Sequence, residues 1–288
     1  MPDIAQALAS AQALGLDRLD AQLLLLHALD QNPMQSGAGR AWLLAHGDDA
    51  LAGTSLERFQ THVRQRLEGK PLAYITGHKE FYGLDLQVDA RVLVPRPDTE
   101  TLVAWALELL AGPVGARFPA PLAVLDLGTG SGAIALALKH EKPDLRVDAV
   151  DASEDALAVA RANAQRLALQ VQFSQGFWLE QVTRQYHCIV ANPPYVAAQD
   201  PHLAALVHEP VTALVSGPDG LQDIRHIVST AASRLYPGAW LLIEHGFDQG
   251  AAVRGLFMAA TYQEVETRRD LGGHERCTGG RLPETTGR

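Results

Sequence analysis

Three short runs of this chain have residue types and spacings suited to chemistry. The first is Asp126-Leu127-Gly128-Thr129-Gly130-Ser131-Gly132, set between an apolar stretch and an Ala- and Leu-rich one. Glycines at alternate positions let the backbone turn sharply and approach a bound molecule, and the free N–H groups of the following helix start face it. The second is Asp151, nineteen residues beyond Gly132. An acidic residue at that spacing is an acceptor for two ribose hydroxyls, so a nucleoside-bearing cofactor is expected. The third is Asn192-Pro193-Pro194-Tyr195. Two consecutive prolines remove two N–H donors and fix two φ angles, which makes a rigid corner. From it the Asn192 side chain and the Pro193 carbonyl can accept hydrogen bonds from an –NH2 group. Tyr195 either covers the planar group carrying that nitrogen or packs on the turn.

The glycine run alone leaves the cofactor ambiguous, because Gly128, Gly130 and Ala133 also satisfy the dinucleotide pattern G-x-G-x-x-G/A. Asp126 separates the two cases. A carboxylate two residues before the first glycine repels a pyrophosphate but accepts hydrogen bonds from a cationic amino-acid tail, which favours S-adenosyl-L-methionine over NAD. The candidate cofactor-binding residues are therefore Asp126, Gly128, Thr129, Gly130, Ser131, Gly132 and Asp151, with Asn192 at the junction to the substrate.

These residues need a scaffold. From Ala123 onward, apolar strands alternate with helical stretches: strand Ala123 to Leu127, helix Ala133 to Leu138, strand Val147 to Val150, helix Asp155 to Leu167 and strand Val171 to Phe173. Strand Cys188 to Ala191, helix Leu221 to Leu235 and strand Trp240 to Glu244 follow. Such alternation predicts a mostly parallel, doubly wound α/β sheet with its ligand at the carboxyl ends of the strands. Tyr262 to Thr267 and Arg276 to Arg281 suggest a C-terminal antiparallel hairpin.

Ahead of this lies a segment of helical periodicity, with Leu16, Leu19, Leu23 and Leu26, then Leu56, Phe59, Val63 and Leu67, interrupted at Pro33, Gly37, Gly39, Gly47 and Gly53. It predicts four or five short helices. Tyr74, Ile75, Phe81 and Tyr82 lead into the alternation Leu84, Leu86, Val88, the pattern of a β-hairpin linker. Asp98 is an N-cap candidate for a helix through Leu102 and Leu110. The expected domains are 1–70, a helical bundle; 71–98, the hairpin linker; and 99–288, a Rossmann-like domain that binds S-adenosylmethionine.

Composition narrows the partners. With 288 residues, 47% hydrophobic and 20% charged, the chain can build more than one core. Lys and Arg number 24 against 33 Asp and Glu, a net charge of −9, which disfavours a phosphate backbone as the main partner. Two cysteines, Cys188 and Cys277, are too few for a disulfide framework or a four-thiolate zinc site. Neither a signal peptide nor an apolar run of membrane-spanning length is expected. His187, His208 and His245 carry no assignment. Glu209 and Arg96 are candidates for a loop clamp or for structural ion partners, and Cys188 reads as packing.

The glycine loop, Asp151 and the Asn-Pro-Pro-Tyr turn resemble those of methyltransferases that act on amino groups. Further stretches narrow the resemblance: Pro95-Arg96-Pro97-Asp98-Thr99-Glu100, Glu209-Pro210 with Ala213-Leu214, Asp219-Gly220-Leu221 and Glu244-His245-Gly246. In order and spacing, with the helical N-terminal segment, they resemble the PrmC/HemK family of protein-(glutamine-N5) methyltransferases over nearly the whole chain. The resemblance implies methylation of the glutamine in the Gly-Gly-Gln motif of class 1 peptide chain release factors, with the N-terminal bundle as the docking domain.

It further implies that Gly128 to Gly132 cradle the methionine part of the cofactor, that Asp151 holds its ribose, and that Asn192, Pro193, Pro194 and Tyr195 hold the glutamine amide. The chain departs from the family beside the adenine, where it reads Gly176-Phe177-Trp178. Phe177 matches the stacking position and Trp178 is the alternative. A cytoplasmic monomer with no metal, no membrane and no direct nucleic-acid partner is expected. The competing readings are an adenine-N6 nucleic-acid methyltransferase and an NAD-dependent dehydrogenase, and the latter leaves the diproline turn without a purpose.

Overall fold

The computed structural model describes residues 1–31 and 39–284. Pro33 and Gly37, read above as breaks between helices, lie outside the described residues. The chain divides into two compact units, Met1–His78 and Lys79–Arg288.

In the first unit the helices are α1 (Ile4–Ala13), α2 (Arg18–Ala28), α3 (Arg40–Ala45), α4 (Gly53–Leu67) and α5 (Leu72–Thr76). Asp3 and Gln6 close a capping box on α1, and Asp17 caps α2 through the Leu19 and Asp20 N–H groups. Each satisfies donors that a helix start leaves open. On α2, Leu24, Leu25 and Leu26 are all fully buried, so this helix is covered on several sides, and Leu43, Leu51, Phe59 and Val63 complete the core. Leu19 and Leu67, which share the helical spacing, remain exposed. Tyr74 and Ile75 belong to helix α5 rather than to the extended linker expected from their β-favouring types.

The strands β1 (His78–Phe81) and β2 (Leu84–Gln87) form the hairpin. Tyr82 and Gly83 both sit at positive φ, 49° and 76°, the geometry that matches a two-residue turn to the twist of its strands. A 3-10 turn, Pro97–Thr99, then leads into α6 (Glu100–Ala111). Asp98 does not cap this helix, whose start carries no side-chain cap. Its carboxylate pairs with Arg276 at 3.1 Å instead.

After α7 (Pro113–Arg117), the elements alternate as β3 (Ala123–Leu127), α8 (Ala133–Glu141), β4 (Arg146–Asp151), α9 (Glu154–Arg166), β5 (Gln172–Gln175) and β6 (Tyr186–Ala191). They continue with α10 (Gln222–Ala231), β7 (Leu235–Glu244), α11 (Gly250–Ala259), β8 (Gln263–Arg269) and β9 (Glu275–Arg281). The seven strands form one sheet in the order β5-β4-β3-β6-β7-β9-β8. β3 to β7 are parallel, and β9 runs antiparallel to both β7 and β8. This is the expected Rossmann-like sheet with its antiparallel C-terminal hairpin. The strand order reverses beside β3, so the loops after β3 and β6 diverge and leave a crevice at the carboxyl edge.

Two elements differ from expectation. α10 ends at Ala231 and β7 begins at Leu235, where a longer helix was expected, because Leu235 pairs with Tyr186 and is buried in the sheet core. Helix α11 was not foreseen: Gly250 and Gly255 dilute its helical signal, although Val253 and Phe257 at i and i+4 are both fully buried.

The sheet's antiparallel side depends on close packing at Gly279. A Cβ there would lie 2.4 Å from Leu242 Cδ2 and 2.7 Å from Trp105 Cη2. Gly279→Ala is expected to destabilise the protein by about 1–3 kcal/mol through overpacking, lowering the melting temperature by roughly 3–10 °C. A thermal melt of the variant checks this.

Candidate active site

The crevice is a cavity of about 670 Å³ at the carboxyl ends of β3, β4 and β6. Gly128, Gly130, Asp151, Phe177, Trp178 and Asn192 are among the residues that line it. A second depression of about 700 Å³ lies at the opposite edge of the sheet, around Ala123, Arg146 and Tyr236. None of the glycine-loop or diproline residues reaches it.

The loop after β3 is built by its own glycines. Gly128, Gly130 and Gly132 have φ of 72°, 54° and 85°, which side-chain-bearing residues seldom adopt. The N–H groups of Gly128 and Thr129 donate to the Val150 carbonyl at 2.8 and 3.0 Å, folding the loop back over β4. A Cβ on Gly128 would come within 3.1 Å of the Trp178 ring, whereas at Gly130 nothing lies within 4 Å. The loop is thus packed on one side and open on the other, a cradle for a ligand.

Asp151, the last residue of β4, braces this loop. Its Oδ2 accepts the Gly130 N–H at 2.8 Å and its Oδ1 accepts the Ser153 N–H at 2.9 Å. Burial raises its pKa, opposed by those backbone donors. Asp126 lies beneath the loop rather than on the cavity wall and is fully buried. Its Oδ2 accepts from the Thr129 hydroxyl at 2.7 Å and from the Ala135 N–H at 3.2 Å, while Oδ1 has no hydrogen-bond partner. Burial pushes its pKa up to about 7. Asp126 thus braces the glycine loop from beneath through Thr129 and Ala135.

The two aromatic candidates for the adenine separate cleanly. Phe177 is 48% exposed, whereas Trp178 is 8% exposed. The Trp178 indole N–H donates to Asp223 Oδ1 at 3.0 Å. Trp178 therefore forms the floor against Gly128, and Phe177 keeps a free face. Asp223, which also accepts from the Ser216 hydroxyl at 2.6 Å, lines the cavity and was missed, since nothing in its local sequence marks it.

β6 is buried at every position and delivers Asn192 to the cavity. Asn192 Nδ2 donates to the Thr99 hydroxyl at 3.2 Å. Pro194 lines the cavity, whereas Pro193 and Tyr195 do not. The Tyr195 ring packs against the sheet core, and its hydroxyl donates to Glu244 Oε1 at 3.4 Å. Of its two expected roles, Tyr195 takes packing on the turn. Gly220, at φ 73°, makes room for this corner: a Cβ there would lie 2.2 Å from the Tyr195 carbonyl oxygen.

Arg96 and Glu209 do form an ion pair, and Glu209 Oε2 also accepts the Val94 N–H at 3.1 Å. The pair ties the segment before α6 to the segment after the diproline turn, and both segments contribute to the cavity wall. His187 Nδ1 accepts the Ala123 N–H at 2.8 Å. His245 is fully buried, with its ring nitrogens 2.8 Å from the Gly246 carbonyl and the Thr278 hydroxyl. Both rings serve the fold. Burial raises the Cys188 thiol to about 12, so it stays protonated as packing.

A glycine-loop cradle at the switch point of a parallel sheet, an acidic residue ending the next strand, the diproline turn in the same cavity and the antiparallel β9 between β7 and β8 together fit an S-adenosylmethionine-dependent methyltransferase. The comparisons agree. The family of the methyltransferase small domain matches residues 110–219, and that of the PrmC N-terminal domain matches residues 3–77. The release factor glutamine methyltransferase of Xylella fastidiosa is 46% identical over 281 residues, covering 96% of this chain and 98% of its own. That of Escherichia coli strain K12 is 43% identical, covering 96% of each. A methyltransferase from Pyrococcus furiosus, 17% identical, shares the fold with a TM-score of 0.52 over 78% of this chain and 99% of its own. The chain belongs to the release factor glutamine methyltransferase family.

Among the described residues, no helix is long and apolar enough to cross a membrane.

Proposed function

We propose that the enzyme methylates the side-chain N5 of the glutamine in the Gly-Gly-Gln motif of class 1 peptide chain release factors, with the cavity at the sheet edge as its active site. The observation that carries this reading is the placement of Asn192 and Pro194 in the same cavity as the glycine loop and Asp151. S-adenosylmethionine supplies an electrophilic methyl group on a sulfonium. The Gly128–Gly132 loop holds its methionine part, with Asp126 bracing that loop from beneath through Thr129 and Ala135. The Asp151 carboxylate holds the ribose, and Phe177 offers its free face to the adenine.

A primary amide nitrogen is a poor nucleophile, because its lone pair is delocalised into the carbonyl. Asn192 Oδ1, accepting an amide N–H bond, orients the nitrogen and stabilises the positive charge that grows on it. Hydrogen bonds that strengthen as charge develops lower the barrier selectively. No strong base is required, since the amide proton becomes acidic once the nitrogen is alkylated. His187 and His245, held in structural hydrogen bonds, fit that scheme.

The N-terminal unit docks the release factor, consistent with the match of residues 3–77 to the PrmC N-terminal domain. A translation factor as substrate places the enzyme in the cytoplasm, where it acts as a monomer. Incubation with labelled S-adenosylmethionine and, side by side, a release factor, duplex DNA and RNA tests the function. Label is expected on the release factor alone, and it should disappear when the motif glutamine is replaced. Label on DNA or RNA overturns the reading in favour of an adenine methyltransferase.

A further inference from the structure

The diproline corner carries the residue that orients the substrate amide, yet it cannot hold itself in place. Pro193 and Pro194 have no N–H to donate, so the angle of the corner is set from its two flanks. On the near flank β6 is buried, and Asn192 Nδ2 donates to the Thr99 hydroxyl at 3.2 Å. On the far flank the Val196 N–H donates to the Leu214 carbonyl at 2.8 Å, and the Tyr195 carbonyl accepts from Gln249 Nε2 at 3.0 Å.

Gln249 stands on a rigid base, immediately before α11. Its N–H donates to the Gly246 carbonyl, and its carbonyl accepts the N–H of the fully buried Val253, both at 3.0 Å. Its side-chain Oε1 accepts the Gly246 N–H at 2.8 Å, while Nε2 reaches the Asp219 carbonyl at 3.5 Å as well as Tyr195. One amide thus ties the corner after β6 to the loop after β7 and to the turn before α10. An amide suits this place, because the same side chain must accept from one backbone group and donate to another. Gly220 leaves room for the contact, since a Cβ there would lie 2.2 Å from the Tyr195 carbonyl oxygen and 2.8 Å from Gln249 Nε2. Gln249 itself does not line the cavity.

We propose that Gln249 is a positioning residue for methyl transfer: by holding the Tyr195 carbonyl, it fixes the angle at which the diproline corner presents Asn192 to the substrate amide. This inference rests on the proposed role of Asn192. Freeing the corner on one flank leaves the glycine loop and Asp151 as they are, so transfer slows while cofactor and substrate still bind.

The test uses the full chain with Gln249→Glu and Gln249→Met. Gln249→Glu keeps an acceptor for the Gly246 N–H and suits the N-terminus of α11, but it sets acceptor against acceptor at Tyr195. Gln249→Met keeps the length of the side chain and loses both bonds. The quantities read are kcat and KM on a release factor, the S-adenosylmethionine Kd, and the 13C shift of the Tyr195 carbonyl by NMR. Tyr followed by Val occurs once in the chain, at Tyr195-Val196, so carbonyl-13C tyrosine combined with 15N valine isolates that signal. In both variants kcat is expected to fall about tenfold to 100-fold, the cost of a small misplacement, with KM and Kd within about threefold. The Tyr195 carbonyl signal should move upfield as its hydrogen bond is lost. Wild-type kcat in Gln249→Glu with a moved carbonyl would overturn the positioning role, and so would a loss of activity that appears in KM or Kd instead of kcat. If the wild type methylates no release factor, it is the proposed function that fails, whereas an unmoved carbonyl in both variants is the failure of this inference alone.

Discussion

Asn192→Ala is expected to lower kcat for methyl transfer to a release factor by about 100-fold to 1,000-fold, the effect of removing one preorganised polar group from a developing charge. The S-adenosylmethionine Kd should change by less than about threefold. The split follows from the geometry. Asn192 leaves the end of β6 with its amide nitrogen committed to Thr99, so the function of its side chain rests on the remaining oxygen. The cofactor cradle is made by other elements, the loop after β3 and the end of β4, and its hydrogen bonds do not pass through Asn192.

Truncation also leaves β6 and both prolines in place, so the variant should fold. Asn192→Asp is a sharper control, because it keeps an acceptor toward the substrate but loses the donor to Thr99. Single-turnover transfer with saturating cofactor, together with calorimetric cofactor binding, separates the two quantities. A variant that transfers methyl at the wild-type rate would remove Asn192 from the reaction.

The parts of the site that were legible in the sequence are those whose chemistry is local. Three glycines in five residues announce a backbone at positive φ, and the structure has each of them there. Two consecutive prolines announce a rigid corner whatever surrounds it. The alternation of apolar strands with Ala- and Leu-rich helices was enough for the sheet, because each element carries its own period. What escaped depends on partners distant in the chain. Tyr195 turns from the cavity toward Glu244, and Asp98 leaves its helix for Arg276. Asp126 sinks beneath its own loop because Thr129 and Ala135 satisfy one oxygen from above. Local pattern carries no trace of these choices, which are settled by packing between elements. Helix α11 was missed for the opposite reason: its glycines weakened a local signal that burial of Val253 and Phe257 overrides.

The cofactor half of the site makes an equally strong prediction. Asp151→Ala is expected to raise the S-adenosylmethionine Kd by about 100-fold, or about 2.7 kcal/mol, with kcat at saturation falling by no more than several-fold. Two losses combine here. The ribose loses its acceptor, and the N–H groups of Gly130 and Ser153 lose the carboxylate that holds the loop over β4. Asp151→Asn divides them, since its oxygen can replace one acceptor while its –NH2 confronts the other backbone donor, so an intermediate affinity is expected.

Acidification should act on the same group. Burial raises the Asp151 pKa, and the ionised form is the one that accepts from the ribose. Wild-type affinity should therefore fall with decreasing pH, and begin to fall at a higher pH than for an exposed aspartate. The Asp151→Ala variant should lose that part of the pH dependence. Calorimetric titrations across the acidic range decide the matter: an unchanged Kd in Asp151→Ala would take Asp151 out of the ribose site and leave it only as a brace for the glycine loop.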